Sequence, residues 1–185
     1  MNNSETLNAK QYFYNKDYIN ALKLFKQEEN NYASGLCYLL LKNKEKAKEY
    51  WEKNKKNSPA SQWGLIILNL IELNLKELPT FFQTRAFLEI YLNLFLENDL
   101  LEWAENIISC CDFLYRANPE SYKFIARALF ANGYFDLAIT FCKKSLKILY
   151  FDPEAFLILS QCQYLIGDIP EALDSINRTL VMADD

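Results

Sequence analysis

The sequence predicts an all-helical chain of stacked helix pairs, and three observations predict it. The 185 residues hold only four glycines and five prolines, too few for a strand-and-turn protein, which needs positive-φ residues at most of its hairpins. In the C-terminal half, like residues recur at a separation of 34: Pro119 and Pro153, Tyr122 and Phe156, Gly133 and Gly167, Ala138 and Ala172, Leu146 and Leu180. A cap and a proline then open two helices at the same phase, Asn118-Pro119-Glu120 and Asp152-Pro153-Glu154. The side-chain acceptor satisfies free N–H groups, and proline occupies a position that needs no donor.

Taken in order, Ala9, Tyr12, Ala21 and Phe25, then Gly35, Tyr38, Ala47 and Trp51, mark helix pairs in the N-terminal half. Their spacing is compressed. Ala21 to Ala47 is 26 residues and Ala47 to Ala104 is 57, which are 8 and 11 short of 34 and 68. At about 3.6 residues per turn, such deletions remove near-integral turns and keep the apolar face. Residues 5–58 therefore read as two irregular, shortened repeats. Residues 59–84 read as a degenerate repeat: Trp63, Ile66, Ile67 and Leu70 give one helix, but Pro79 breaks the second. Three regular repeats follow, 85–118, 119–152 and 153–185, within a single domain spanning 1–185. In the middle one Tyr122, Ile125, Ala126 and Leu129 are the inner face of a first helix that stops at Gly133. Phe135, Ala138, Ile139, Cys142 and Leu146 are that of the second, repeated as Ile169, Ala172, Leu173, Ile176 and Leu180.

Composition excludes most chemistry. The chain has no histidine, which removes Ser-His-Asp and Cys-His pairs, His-ligated metals and the ordinary neutral-pH proton shuttle. It has no glycine-rich phosphate loop and no Gly-x-Ser-x-Gly elbow. Five cysteines without Cys-x-x-Cys spacing fit reduced thiols; the vicinal Cys110 and Cys111 point about 100° apart on a helix, and Cys111 and Cys142 share the phase of small core positions. No enzyme activity, cofactor or metal is expected. A net charge of −4 argues against a nucleic-acid footprint. It hides an asymmetry: residues 1–92 carry 13 Lys/Arg against 10 Asp/Glu, and residues 93–185 carry 7 against 14. The densest basic run, Lys42 to Lys56, is interleaved with Glu45, Glu49 and Glu52 at helical spacing and reads as a solvated face. Neither a signal peptide nor a bilayer-length apolar segment is visible, so a cytoplasmic protein without membrane insertion is expected.

The units Tyr122-x2-Ile125-Ala126-x2-Leu129 with Ala138-x3-Cys142, Gly35-x2-Tyr38 with Ala47-x3-Trp51 and Pro59, and Ala9-x2-Tyr12 with Ala21-x3-Phe25 resemble the tetratricopeptide repeat. The resemblance spans nearly the whole chain. It implies a right-handed superhelix, an α-solenoid whose first helices line a concave surface. It also implies a non-catalytic protein–protein interaction module, a chaperone or adaptor, holding a peptide or helix of another protein. On that pattern the partner-binding residues are Leu36, Leu68, Glu89, Asn93, Lys123, Arg127, Phe130, Leu157, Gln161 and Tyr164. Lys123 and Arg127, four apart, either meet an acidic ligand or pair with Glu89, Glu120 or Glu154. Some members clamp the tails of heat-shock chaperones with Lys and Asn on the first contributing repeat and basic residues on the third. Glu89, Asn93, Leu157 and Gln161 do not match, so no such binding is expected. Two alternatives stand beside the module: a self-assembling scaffold, and a chaperone similar in size and repeat to the type III secretion translocator chaperones. Leu173, Ile176 and Leu180 form an apolar edge through which a partner or a homodimer would pack.

Overall fold

The computed structural model describes residues 7–74 and 80–183. The described residues form helices and connecting turns only, and the chain divides into two units, 1–69 and 70–185.

The first unit runs through α1 (Ala9–Tyr14), α2 (Tyr18–Gln27), α3 (Asn31–Leu40) and α4 (Lys44–Asn54), and takes most of α5 (Pro59–Ile71). A polar side chain opens each of the first four. Asn8 and Gln11 form a reciprocal capping box, and Asp17, Asn30 and Asn43 accept from the N–H groups of Asn20, Ala33 and Lys46. Successive helices α1 to α4 pack on one another. Trp51 is fully buried, donates its indole N–H to the Tyr32 carbonyl at 3.1 Å, and lies against the backbone at both Gly35 and Gly64.

The second unit contains α6 (Phe81–Glu97), α7 (Leu101–Leu114), α8 (Pro119–Ala131), α9 (Phe135–Ile148), α10 (Pro153–Leu165) and α11 (Ile169–Ala183). The prolines of α8 and α10 occupy the first turn behind the capping Asn118 and Asp152. Helix α8 packs on α9, α9 on α10 and α10 on α11, while α6, α8 and α10 lie side by side as one row. The core is apolar along that row, with Leu92, Phe95, Phe124, Ile125, Leu129 and Leu159 buried. Within this unit α7 is tied to the last residue of α5: Asn106 donates to the Ile71 carbonyl at 2.9 Å.

One register recurs in the helix pairs of both units. Ala21, Ala47, Ala104, Ala138 and Ala172 each occupy the fourth position of a second helix, and all are buried. A small side chain there lets the paired helices close up. Five residues before each lies a left-handed residue: Lys16, Lys42, Asp99, Gly133 and Gly167, with φ between 56° and 86°. The next N–H donates back to the carbonyl five residues earlier, as in Asn43 to Tyr38, Leu100 to Phe95 and Tyr134 to Leu129, each at 2.9 Å. The same turn is therefore built with or without glycine. The shortened spacing also has a local cause. Helix α2 is four residues shorter than α9, and α3 three shorter than α10. Their connector is one shorter, which together make the missing 8.

The expected break at Pro79 lies outside the described residues; helix resumes at Phe81.

Candidate protein-binding site

The row of first helices α6, α8 and α10 carries the largest ionic constellation among the described residues. Four carboxylates and three cations meet on it. Lys123 Nζ lies 3.0 Å from Glu120, 2.9 Å from Asp152 and 3.0 Å from Glu154. Arg127 grips Glu89 with two parallel bonds of 2.9 and 3.0 Å, and reaches Glu120 at 3.0 Å and Glu154 at 2.7 Å. Arg85 adds a third contact to Glu120, at 2.6 Å. The planar guanidinium suits the two-pronged grip on Glu89, whereas the Lys123 ammonium acts as a point charge among three acceptors.

Protonation follows the geometry. Burial opposes the charge on Lys123, but hydrogen bonds to Asp152, Glu154 and Glu120 outweigh it and raise its pKa. Burial likewise opposes Arg127, and its bonds to Glu89 and Glu120 overcome it. Burial alone would push the Glu154 carboxyl up; the bond from Lys123 and the charge of Arg127 bring it below its ordinary value. Every carboxylate of the cluster thus has a cation within 3.0 Å, and Lys123 and Arg127 are each engaged by three carboxylates of the chain itself.

Of the two roles open to Lys123 and Arg127, the structure shows internal pairing, with Glu89, Glu120 and Glu154 all engaged. Arg85 and Asp152 belong to the cluster too, although the sequence marks the second only as a helix cap and the first not at all. Arg85 lies one helical turn before Glu89, and Asp152 shares the capping phase of Asn118, which is the available signal for each.

The remaining residues expected to bind a partner fall into three environments. Asn93 accepts a hydrogen bond from Asn132 at 3.0 Å and donates to the Glu89 carbonyl, so it links α6 to the end of α8. Phe130 is half-buried against Phe135, ring centroids 6.0 Å apart. Leu157, Gln161 and Tyr164 share the exposed face of α10, Leu157 at 38% and Tyr164 at 66% exposure. In the first unit Leu36 is half-buried on α3. Leu68 requires correction: it is buried at 4%, because α5 is apolar on nearly every side and turns this residue into the core.

The thiols are packing groups. All five are buried and free, and burial pushes Cys37 and Cys142 up to about 12 and Cys162 up to about 11. They stay protonated at neutral pH, which deprives them of nucleophilic form. No group of three metal-ligating side chains occurs among the described residues, and no described helix is long and apolar enough to cross a membrane.

The chain matches no family model and no curated protein sequence. Its fold resembles two solved structures. The crystal structure of MamA shares 13% identity over 97% of this chain and 96% of that one, with a TM-score of 0.48. The crystal structure of YrrB, a TPR protein with an unusual peptide-binding site, shares 11% identity over 96% of this chain and 84% of that one, with a TM-score of 0.47. The decisive feature is internal: helix pairs turned by the same left-handed residue, with a buried alanine five positions on. Five described helix pairs share this register, α1–α2, α3–α4, α6–α7, α8–α9 and α10–α11. Because α6, α8 and α10 lie side by side, the ionic row and the exposed α10 face belong to one row of helices in the second unit.

Proposed function

We propose that this chain is a non-catalytic protein-interaction module that holds a peptide or helix of another protein on the first-helix surface of its second unit, as a cytoplasmic adaptor or chaperone. The observation that carries the reading is the exposed face of α10. Leu157 and Tyr164 are large apolar side chains that helix packing leaves in solvent, with Gln161 between them as a hydrogen-bonding group. Apolar anchors beside a few polar groups are what a peptide groove needs.

The ionic row supports this face without contacting the ligand. A ligand carboxylate would have to displace an existing partner from Lys123 or Arg127, and four carboxylates against three cations leave the row with a surplus negative charge. The favoured ligand is therefore apolar with neutral or basic flanks, rather than acidic. Self-assembly is a second reading, favoured by the exposure of Leu173, Leu180 and Val181 on α11.

A photo-crosslinking residue in place of Leu157, with an equivalent at exposed Glu102 on α7 as reference, tests the proposal in cells. One or a few proteins crosslinked at 157 and not at 102 are expected. Equal labelling at both positions would contradict it, and labelling by the chain itself would move the reading to self-assembly.

A further inference from the structure

The turn between α9 and α10 holds its apolar side chains in solvent. Ile148, Leu149 and Tyr150 are 42%, 44% and 48% exposed and Phe151 is 77% exposed, so four consecutive large apolar residues stand outside the core. The turn is fixed at both ends. Leu149 N–H donates to the Ser145 carbonyl at 3.0 Å, and the buried Asp152 binds Lys123 at 2.9 Å while capping the Ala155 N–H. Between them Tyr150 is pinned: its ring meets Phe156 edge to face at 5.6 Å between centroids, and its hydroxyl accepts from Arg178. Phe151 meets Tyr150 edge-on at 5.5 Å and keeps its outer face in solvent. The result is an ordered aromatic wedge. This edge is also open where a full helix pair follows it. The equivalent turn 34 residues earlier leaves Phe113 72% exposed and Arg116 and Ala117 in solvent.

The two turns share one edge, because Lys144 near the end of α9 bridges to Asp112 near the end of α7 at 3.1 Å. Three cations stand on that edge beside the wedge. Arg116, Lys143 and Lys147 are exposed, and none forms an ion pair with a described residue. The only acidic residues of segments 109–118 and 143–152, Asp112 and Asp152, are taken up by Lys144 and Lys123. The edge is therefore cationic within a half of the chain that is acidic as a whole. At physiological salt, exposed charges beyond about 8 Å are screened, so the near cations decide what approaches. A convex aromatic tip beside cations fits a surface that it can enter. The headgroup layer of a bilayer is such a surface: aromatic rings settle at that depth, and lysine and arginine are drawn to anionic lipids.

We propose that the α9–α10 turn, with Lys143, Lys147 and Arg116 beside it, is a peripheral contact for an anionic membrane surface, Phe151 entering the headgroup layer without crossing the bilayer. One aromatic wedge and three cations make a reversible attachment, since stable anchoring takes stronger signals. The contact is additional to the interaction-module reading. Its test floats the full chain with vesicles of phosphatidylcholine, alone or mixed with phosphatidylserine at about 7:3. The mixed vesicles are expected to bind at least about tenfold more tightly than the neutral ones. Phe151→Ser and Lys143→Glu/Lys147→Glu should each weaken that binding at least about fivefold, with circular dichroism unchanged because these side chains are exposed. A polarity-sensitive dye on Phe151→Cys, selective because the native thiols are buried, should shift to the blue with mixed vesicles; the same dye on Glu102→Cys should not. Equal binding to both vesicles, binding to neither, or undiminished binding by the folded variants would overturn the proposal. So would a protein crosslinked at position 151 in cells by a chain that vesicles leave unbound, which would make the turn a docking point for an acidic protein. Crosslinking at position 157 reads the module separately: its presence without vesicle binding removes the membrane contact alone.

Discussion

Placing a methyl group on Gly35 tests the packing of the first unit at its tightest point. A Cβ there would lie 2.7 Å from Trp51 Cδ1, and one on Gly64 would lie 2.6 Å from Trp51 Cδ2. Carbon atoms in contact prefer about 3.5–4 Å, so the indole would have to recede by roughly 1 Å from either side. It has no room to do so, because each glycine backbone blocks retreat from the other. The ring is also held in plane by its bond to the Tyr32 carbonyl at 3.1 Å and by stacking on Tyr32 at 6.3 Å between centroids. Overpacking of this kind costs about 1–3 kcal/mol, and the rigid slot puts Gly35→Ala at the upper end. Helix propensity works the other way, since alanine is about 1 kcal/mol better than glycine inside a helix. The net expectation is a loss of about 2 kcal/mol. Urea unfolding followed by circular dichroism measures it as a lowered midpoint at unchanged slope. A second variant separates the terms. In a Trp51→Leu background, itself destabilised by about 3 kcal/mol, Gly35→Ala should become neutral or stabilising, giving a coupling of about 2 kcal/mol or more. Stabilisation by Gly35→Ala with Trp51 intact would refute the slot.

Three further outcomes are expected. Replacing Lys42 or Asp99 by glycine should stabilise the chain by about 1 kcal/mol in urea unfolding, because both hold left-handed backbone at φ 61° and 56° that a side chain opposes. Acid should weaken the second unit through Glu154, whose carboxyl is lowered by Lys123 and Arg127 against the effect of burial, and Asp112, which is lowered by its bonds to Tyr122 and Lys144. Because both folded values are depressed, their contribution is complete above the unfolded carboxylate range of about 4. It should be lost as pH falls through the lower folded values, which a pH series of thermal midpoints reads, and Glu154→Gln should flatten it. Finally, a thiol reagent at neutral pH should label the native chain slowly and all five cysteines at once after denaturation, since burial keeps the thiols protonated.

The helices of the second unit were legible because cap, proline and glycine stand at fixed phase in the sequence. Asn118-Pro119 and Asp152-Pro153 begin α8 and α10, and Gly133 and Gly167 supply the left-handed turns. The equivalent turns at Lys16, Lys42 and Asp99 carry no such mark: any residue can hold that conformation for a modest cost, so only the buried alanine five positions later betrays them. The ionic row was half legible. Helical spacing brought out Lys123, Arg127 and their carboxylates, but the choice between ligand and internal partner depends on how closely α6, α8 and α10 approach, which no single helix specifies. Leu68 was misplaced for a related reason. With apolar residues around most of α5, the pattern has no polar side from which to tell the outer face.

The ionic row holds the helices together and the α10 face binds, and one paired measurement tests that separation directly. Arg127→Met takes the two-pronged partner from Glu89 and one cation each from Glu120 and Glu154 and should cost about 3 kcal/mol in urea unfolding, while capture of the partner crosslinked at position 157 persists below the unfolding midpoint. Leu157→Asp/Tyr164→Asp should show the reverse, with stability unchanged within about 0.5 kcal/mol and capture lost. Loss of capture by a folded Arg127→Met chain, with capture retained by Leu157→Asp/Tyr164→Asp, would contradict the account and return the site to the basic residues.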